Sequence, residues 1–358
     1  MSKLLAIDAR PLSRGAGGIQ RYLRKILPYI IENQAFKVVI YTDHPISTCF
    51  TKGLENIKIR SISGNFGRSF IWHFIVCIWT ANDKPDLFWS PRHHLPFFLP
   101  KKTRRLVTIH DFVWKTYPST MPKLQLAAEK LLMPSSIKRA NHIICVSQTT
   151  QSQLKRYFPT QAHKSSVILH GVEKQTVGVE INDKNNCNYF LAVGTVEPRK
   201  NYERLLKAFD SYAKKGGTKN LIIVGKIGWG STHIKGFIEE LANSERIKVL
   251  TAVSDNELHK LYSQACGFVS PSLDEGYGLP TQEAINYRLP ILLSDIDVYR
   301  ELYPKANYWA NPVCVSELTL GFKKLEKTPK SQMVSSHKTE YSWDACSKKH
   351  CALFSRED

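Results

Sequence analysis

Short apolar runs alternate along the chain with longer stretches whose apolar positions recur every three or four residues. KLLAID (3–8) reads as a buried strand, and Ile19, Leu23, Ile26, Leu27 and Ile30 then mark one face of a helix. Further strands are predicted at KVVIY (37–41), IKIRSI (57–62), DLFW (86–89), RLVTIH (105–110), HIICVS (142–147) and SVILHG (166–171). Helices are predicted around 69–81 and 122–139. Strands separated by helices point to βαβ units and a parallel sheet.

The polar stretch EINDKNNCN (180–188) reads as a linker, after which the alternation restarts. Strands are predicted at 188–194, 221–225, 267–272 and 290–294, helices at 201–215 and 254–265, and a final helix over 341–354. The expectation is an α/β protein of two doubly wound, Rossmann-like domains facing a cleft. Ligands of such sheets bind beyond the carboxyl ends of the strands.

With 358 residues the chain is long enough for two domains and two cores. Its 42% apolar and 23% charged residues are ordinary for a globular protein. The longest apolar stretch, around 70–79, contains His73 and is too short to span a bilayer, which takes about 20 residues. The amino-terminal MSKLLAIDARPL has no apolar signal core before its first charges, so a cytoplasmic location is expected. None of the eight cysteines forms a C-x-x-C pair, and all are expected as reduced thiols.

The net charge of +19 is unevenly spread. Residues 1–174 hold 26 basic and 9 acidic side chains, net +17, against 24 and 22 in the remainder, net +2. The first half should therefore meet something anionic: nucleic acid, a membrane face or a phosphorylated acceptor.

Three loops carry candidate chemistry. Arg14-Gly15-Ala16-Gly17-Gly18 follows the first strand and opens a helix, where backbone N–H groups favour anions. It is neither G-x-G-x-x-G nor a P-loop. In FLAVGTVEPRKN (190–201) the strand ends at Gly194, and Arg199 and Lys200 stand just before the next helix, well placed to clamp a diphosphate. In VSPSLDEGYGLPTQEA (269–284), Pro280 suits a first helical turn. The N–H groups of Gly276, Tyr277, Gly278 and Leu279 could bind phosphate oxygens there. Glu283 could accept from ribose hydroxyls, and Glu275 could hold a transferred group.

Gly17-Gly18, Arg199-Lys200 and the E-x7-E spacing of Glu275 and Glu283 resemble the retaining glycosyltransferases of family four, which have the GT-B fold of two Rossmann-like domains. The likeness extends to DLFWSPRHHLP, TIHDF, ICVSQTTQSQL, VILHGV and the late YSW. The resemblance implies an acceptor-binding domain over 1–178 and a nucleotide-sugar-binding domain over 179–338. It implies that a last helix, 339–358, returns to the first domain. By the same resemblance, Arg199 and Lys200 would hold the donor diphosphate, Glu283 the ribose and Glu275 the donor sugar. His110 of TIHD would sit at the reaction centre, and Gly17 and Gly18 would approach the donor phosphates or the acceptor. The segment AVGTVEPRKN resembles bacterial mannosyltransferase-like, group 1 members that build lipopolysaccharide or capsular glycans. That implies transfer of mannose from GDP-mannose to a glycan or lipid-linked acceptor hydroxyl, with retention, domain closure and no metal or other cofactor.

A UDP- or dTDP-sugar donor is the alternative within this chemistry, and a sugar-nucleotide epimerase a further one on the same fold. The basic half also allows a nucleic-acid-binding protein, with Arg68, Trp72 and Trp79 stacking bases, although no recognition motif is present. A better match for that half is an anionic membrane surface, touched by FIWHFIVCIW (70–79) and by Lys101, Lys102, Arg104 and Arg105, with peripheral attachment to the inner face. Asp295-Ile296-Asp297 fits D-x-D, and His93, His94, His110 and Asp111 form a second polar group. The first is the pattern of a metal-dependent sugar transferase, but it follows the late strand PILLS, and two acids at that spacing arise often by chance. In the second, no ligand spacing resembles a known metal site. One departure from the family stands out: Arg288 occupies the turn before Leu289-Pro290, where a glycine is usual.

Overall fold

The computed structural model describes residues 2–13, 17–46, 57–62, 68–172, 187–329 and 342–356. The chain divides into two compact units. The first comprises Met1–Phe112, Ala127–Gly171 and Lys338–Asp358; the second comprises Val113–Leu126 and Val172–His337.

The first unit is a seven-stranded parallel sheet in the order β3-β2-β1-β4-β5-β6-β7. The strands are β1 (Lys3–Asp8), β2 (Phe36–Thr42), β3 (Lys58–Ser61), β4 (Leu87–Ser90), β5 (Arg104–Ile109), β6 (His142–Cys145) and β7 (Ser165–Val167). Its longer helices are α1 (Gly18–Glu32), α2 (Arg68–Asp83), α3 (Lys123–Arg139), which begins in the second unit, and α4 (Gln148–Tyr157). The central strands read as unbroken apolar runs because helices cover both faces of a parallel sheet. The order reverses direction between β1 and β4, so the loops leaving these two strands diverge and open a crevice at their carboxyl ends.

The second unit repeats the plan with six parallel strands in the order β10-β9-β8-β11-β12-β13. They are β8 (Tyr189–Val193), β9 (Asn220–Val224), β10 (Ile247–Leu250), β11 (Gly267–Ser270), β12 (Ile291–Ser294) and β13 (Tyr308–Ala310). Alternate residues feed opposite cores: Phe190, Ala192, Leu221 and Val269 enter one, and Leu191, Val224, Phe268 and Leu293 the other. Its helices include α5 (Tyr202–Lys214), α6 (Asp255–Gln264), α7 (Leu279–Asn286), α8 (Asp297–Leu302) and α9 (Val315–Glu326). Ser254 and Glu257 form a reciprocal capping box that starts α6.

The expected elements are present, with boundary shifts that have local causes. The strand expected at 267–272 stops at Ser270 because Pro271 has no N–H to continue the ladder. The one expected at 166–171 ends at Val167. Strands β10 and β13 and helix α9 go beyond the sequence expectation. Helix α9 had a clear signal, since Val315, Leu318, Phe322 and Leu325 keep helical spacing and the last three are fully buried. The expected linker lies mostly outside the described residues; only Cys187 and Asn188 of it are seen.

Helix α10 (Trp343–Ser355) packs against α1 in the first unit. Ser342 caps it by accepting from the N–H of Ala345. At its other end Lys3 donates to the Ser355 carbonyl at 3.1 Å and Arg104 to the Leu353 carbonyl at 2.9 Å, placing cations on the negative end of the helix dipole. The contact requires Gly171, where an added Cβ would lie 2.3 Å from the backbone nitrogen of Trp343. Among the described residues no helix is long and apolar enough to cross a membrane.

Replacing Gly171 by Ala should destabilise the first unit by about 1–3 kcal/mol, the usual cost of overpacking. The denaturant midpoint reads this out. An unchanged midpoint would show that α10 does not hold the unit together at this position.

Candidate active site

In the second unit β8 and β11 are neighbours in the sheet, so the loops leaving their carboxyl ends meet. After β8 the chain passes Gly194 and forms a single 3-10 turn, Pro198–Lys200, ahead of α5. Asn201 takes a left-handed conformation, φ 60°. Its side-chain amide donates to the carbonyls of Pro271 (2.9 Å) and Pro312 (2.7 Å), which ties this turn to the loop after β11.

Arg199 and Lys200 therefore converge on the second loop. The Arg199 guanidinium donates to the Asp274 carbonyl at 2.7 Å, to Glu275 at 3.0 Å and to Glu197 at 2.9 Å. Lys200 Nζ forms a short ion pair with the other oxygen of Glu275, which also accepts from Ser272 Oγ at 2.8 Å. Glu275 is 8% exposed. Burial alone would raise its carboxyl pKa, but Lys200 and Arg199 outweigh burial and hold it down at about 2. Asp274 accepts in turn from the Thr116 hydroxyl in a short hydrogen bond.

Gly278 precedes α7 with φ 84°, a conformation open to glycine but strained for other residues. A Cβ there would also meet Tyr299 at 2.7 Å. The Tyr303 hydroxyl donates to the Gly278 carbonyl at 3.0 Å and fixes the turn. The first N–H groups of a helix have no partner within it, so the start of α7 has the chemistry to receive an anion. Glu283, one turn along, is half-buried and accepts from the Tyr262 hydroxyl at 3.0 Å. The structure thus brings Arg199, Lys200, Glu275, Gly276, Tyr277, Gly278, Leu279 and Glu283 together at one switch point.

Sequence reasoning missed three contributors. Ser272 and Glu197 orient the charged trio. The run Gly225-Lys226-Ile227-Gly228-Trp229-Gly230 follows β9, and a Cβ on Gly225 would fall 2.0 Å from the Gly194 carbonyl oxygen. Its three glycines were the available signal.

In the first unit His110 follows β5 and is buried. Its Nε2 donates to the Pro91 carbonyl at 2.8 Å, and its backbone N–H donates to His93 Nε2 at 3.1 Å. His93 and His94 both face Glu129, at 3.3 and 3.1 Å. Burial, and then the nearby His93, push the His110 pKa down to about 4, so its imidazole is neutral near pH 7. Around it stand Tyr22, with ring centroids 5.6 Å apart, and His170, at 5.7 Å. The Tyr22 hydroxyl lies 2.6 Å from His350 Nε2 of α10. Gly17 and Gly18 are exposed, Gly17 is in extended backbone, and a Cβ on either meets nothing within 4 Å. Packing in the described structure does not require glycine at these two positions. Arg14, Gly15 and Ala16 lie outside the described residues.

Other candidates are placed elsewhere. Asp295 of the D-x-D is engaged by Arg300, at 2.6 and 2.8 Å, and Asp297 sits in the first turn of α8. Among the described residues no cluster of three or more His, Cys, Asp or Glu side chains could hold a metal ion. Trp72 is wholly buried with the Arg10 guanidinium 3.4 Å from its ring centroid, so it is not available to stack a base. The side chain of Arg68 lies outside the described residues.

Residues 16–176 match the family described as Glycosyltransferase Family 4, and residues 175–339 match Glycosyl transferases group 1. The chain is 31% identical over 340 residues to the O-antigen chain mannosyltransferase RfbU of Salmonella typhimurium, covering 91% of this chain and 92% of that one. It is 29% identical over 245 residues to O-antigen chain mannosyltransferase B of Escherichia coli, covering 65% and 64%. Among solved structures, sucrose-phosphate synthase from Thermosynechococcus elongatus superposes with a TM-score of 0.75 at 17% identity, over 99% and 98% of the two chains. HepE from Anabaena, in complex with UDP and glucose, superposes with a TM-score of 0.72 at 16% identity over the whole of both. The fold is that of the GT-B glycosyltransferases. The protein belongs to the family-four, group 1 glycosyltransferases and is a hexosyltransferase.

Two predictions follow from these geometries. Arg288, φ 52°, closes α7 in a Schellman motif, with Leu289 N–H on the Ala284 carbonyl at 3.1 Å and Arg288 N–H on Ile285 at 2.9 Å. Arg288→Gly should therefore stabilise the second unit by about 1 kcal/mol, read as a higher denaturant midpoint; a lower one would refute the strain argument.

The second concerns acid. His110 and His350 are both held down to about 4, and His170 is lowered too, each chiefly by burial. Between about pH 6.5 and 4 the unfolded chain binds protons that the folded one does not. Stability should fall across that window by up to about 1.4 kcal/mol per pH unit for each histidine. A pH series of denaturation curves checks this, and His350→Gln should flatten the slope.

Proposed function

We propose that this glycosyltransferase moves mannose from GDP-mannose to a hydroxyl of a growing, lipid-linked glycan in the assembly of a cell-surface polysaccharide such as O-antigen. The observation that carries this reading is the near full-length similarity to RfbU, whose name describes an O-antigen chain mannosyltransferase. The acceptor would be presented at an anionic membrane face, matching the net charge of +17 on residues 1–174.

The chemistry asked of the site is departure of a nucleoside diphosphate. Negative charge grows on the donor phosphate oxygens as the sugar leaves, and preorganised donors in a dry site stabilise it most. Arg199 offers paired planar donors and Lys200 a movable point charge. Their present partner, Glu275, holds both cations at the loop that leads into α7, mostly shielded from water. A bound diphosphate would share them, and the freed Glu275 oxygens would accept from hydroxyls of the transferred sugar. Glu283 would hold the ribose. Neutral His110 would contact the donor sugar. In this reading the two cations do the neutralising that a metal ion does in other transferases, so chelators should leave activity intact.

Lys200→Ala should lower kcat/KM by about 10²–10³, the usual cost of removing one such donor, and weaken GDP binding more than guanosine binding. Glu283→Ala should raise the donor KM, whereas Glu275→Ala should act mainly on kcat. The deciding experiment is calorimetry with GDP, UDP, dTDP and ADP, with and without EDTA, followed by transfer from GDP-mannose to a lipid-linked acceptor. Selective, EDTA-insensitive binding of GDP is expected. Selective binding of UDP or dTDP would overturn the donor, and a response abolished by EDTA would overturn the metal-free reading.

A further inference from the structure

Helix α2 is apolar on both sides, and only one side is packed. Trp72, Val76 and Thr80 are fully buried against the first unit. On the opposite side Ile71, Phe74 and Ile78, at i, i+3 and i+7, are 37%, 53% and 61% exposed. A helix apolar all round is ordinarily buried all round. The bare stripe continues onto the loop after β4. Phe97 lies 5.8 Å from Phe74, ring centroid to centroid, and Phe98 beside it is 72% exposed. The Cys77 thiol contacts the Phe98 backbone, which joins helix and loop into one patch.

The border of this patch is cationic. Arg139 donates to the carbonyls of Pro96 at 2.6 Å and Phe97 at 2.8 Å, holding its guanidinium beneath the loop, and Arg105 is close enough to interact with it. Lys101 and Lys102 stand exposed on the following turn. Residues 87–110 contain no Asp or Glu. The one acid of α2, Asp83, is at the far end of the helix and is neutralised by Lys58 and Arg60, each with a contact at 2.6 Å.

The geometry points to this patch as a docking surface for an anionic lipid bilayer, with Ile71, Phe74, Ile78, Phe97 and Phe98 entering the headgroup–acyl boundary, Lys101 and Lys102 meeting lipid phosphates, and Arg105 and Arg139 adding positive charge behind them. A narrow apolar stripe edged by Lys and Arg is the form that lies in a membrane interface. A second copy of the chain is the poorer occupant. A two-fold contact sets a patch against itself and would oppose Lys101 and Lys102 with their own equivalents. The proposal names the surface by which a lipid-linked acceptor would be reached. It rests on the proposed function only for that acceptor.

The test is co-sedimentation of the full chain with phosphatidylethanolamine vesicles containing about one-third phosphatidylglycerol, compared with pure phosphatidylcholine. Partition onto the anionic vesicles is expected, weakening as salt rises. The double substitution Phe74→Asp with Phe98→Asp should lower it by about tenfold or more. Both positions are exposed, so the thermal midpoint and the nucleotide response should be unchanged. Lys101→Glu with Lys102→Glu should remove the preference for anionic lipid. Val313→Asp, an exposed apolar position in the second unit, should leave partition unaltered. Equal partition onto neutral vesicles would overturn the proposal, as would retention by the double aspartate variant. Self-association lost in that variant without vesicle binding would assign the patch to a second copy. Nucleotide binding read in the same samples separates failure of this proposal from failure of the donor assignment.

Discussion

The second unit turns on a single buried carboxylate, Glu275, held between the Arg199 guanidinium and the Lys200 ammonium. A buried charge without a partner is costly, and breaking such a pair from one side costs about 3–5 kcal/mol. The trio must therefore form together or not at all. It forms because β8 and β11 are neighbours at the reversal of strand order, and because Asn201 fastens the turn after one strand to the loop after the other. The cations, the glycine turn before α7 and Glu283 are then held close to one another. The arrangement keeps two cations mostly shielded from water beside one carboxylate.

The first unit solves a different problem. It gathers His110, His170 and His350 around Tyr22 as buried imidazoles, and burial keeps them neutral near pH 7. Helix α10 completes that environment from the far end of the chain. His350 meets the Tyr22 hydroxyl, and Trp343 stacks near His170, with ring centroids 6.1 Å apart. His110, which the family resemblance sets at the reaction centre, thus depends for its protonation state on neighbours that spacing does not reveal. The basic character of the same half is carried on its surface instead. Trp72, a candidate for base stacking, is used internally under Arg10, which weakens the nucleic-acid reading.

Much of this was legible in the residues. Parallel strands buried on both faces must be apolar throughout, so β1, β5, β8 and β12 announced themselves. Gly278, Pro280 and the acids around them carry local backbone demands that write a loop-to-helix junction directly into the sequence. Arg288 was visible as a departure, but its left-handed φ was not. Helix α9 escaped although its spacing was local and clear; the rest of what escaped was short or non-local: β13 has three residues, and Ser272 matters only because its hydroxyl reaches Glu275.

The sequence by itself determined the period of each element, the sign of the charge on each half and the chemical types gathered on each strand-end loop. These are properties of neighbours within a few positions, where periodicity, capping and turn chemistry act. Only the tertiary structure decided which of those loops touch. It set Arg199 and Lys200 on Glu275, seventy-odd positions away, brought His350 to Tyr22 across most of the chain, and left one face of α2 bare while burying the other. Such pairings are fixed by strand order and by the burial of whole faces, and no local spacing records them.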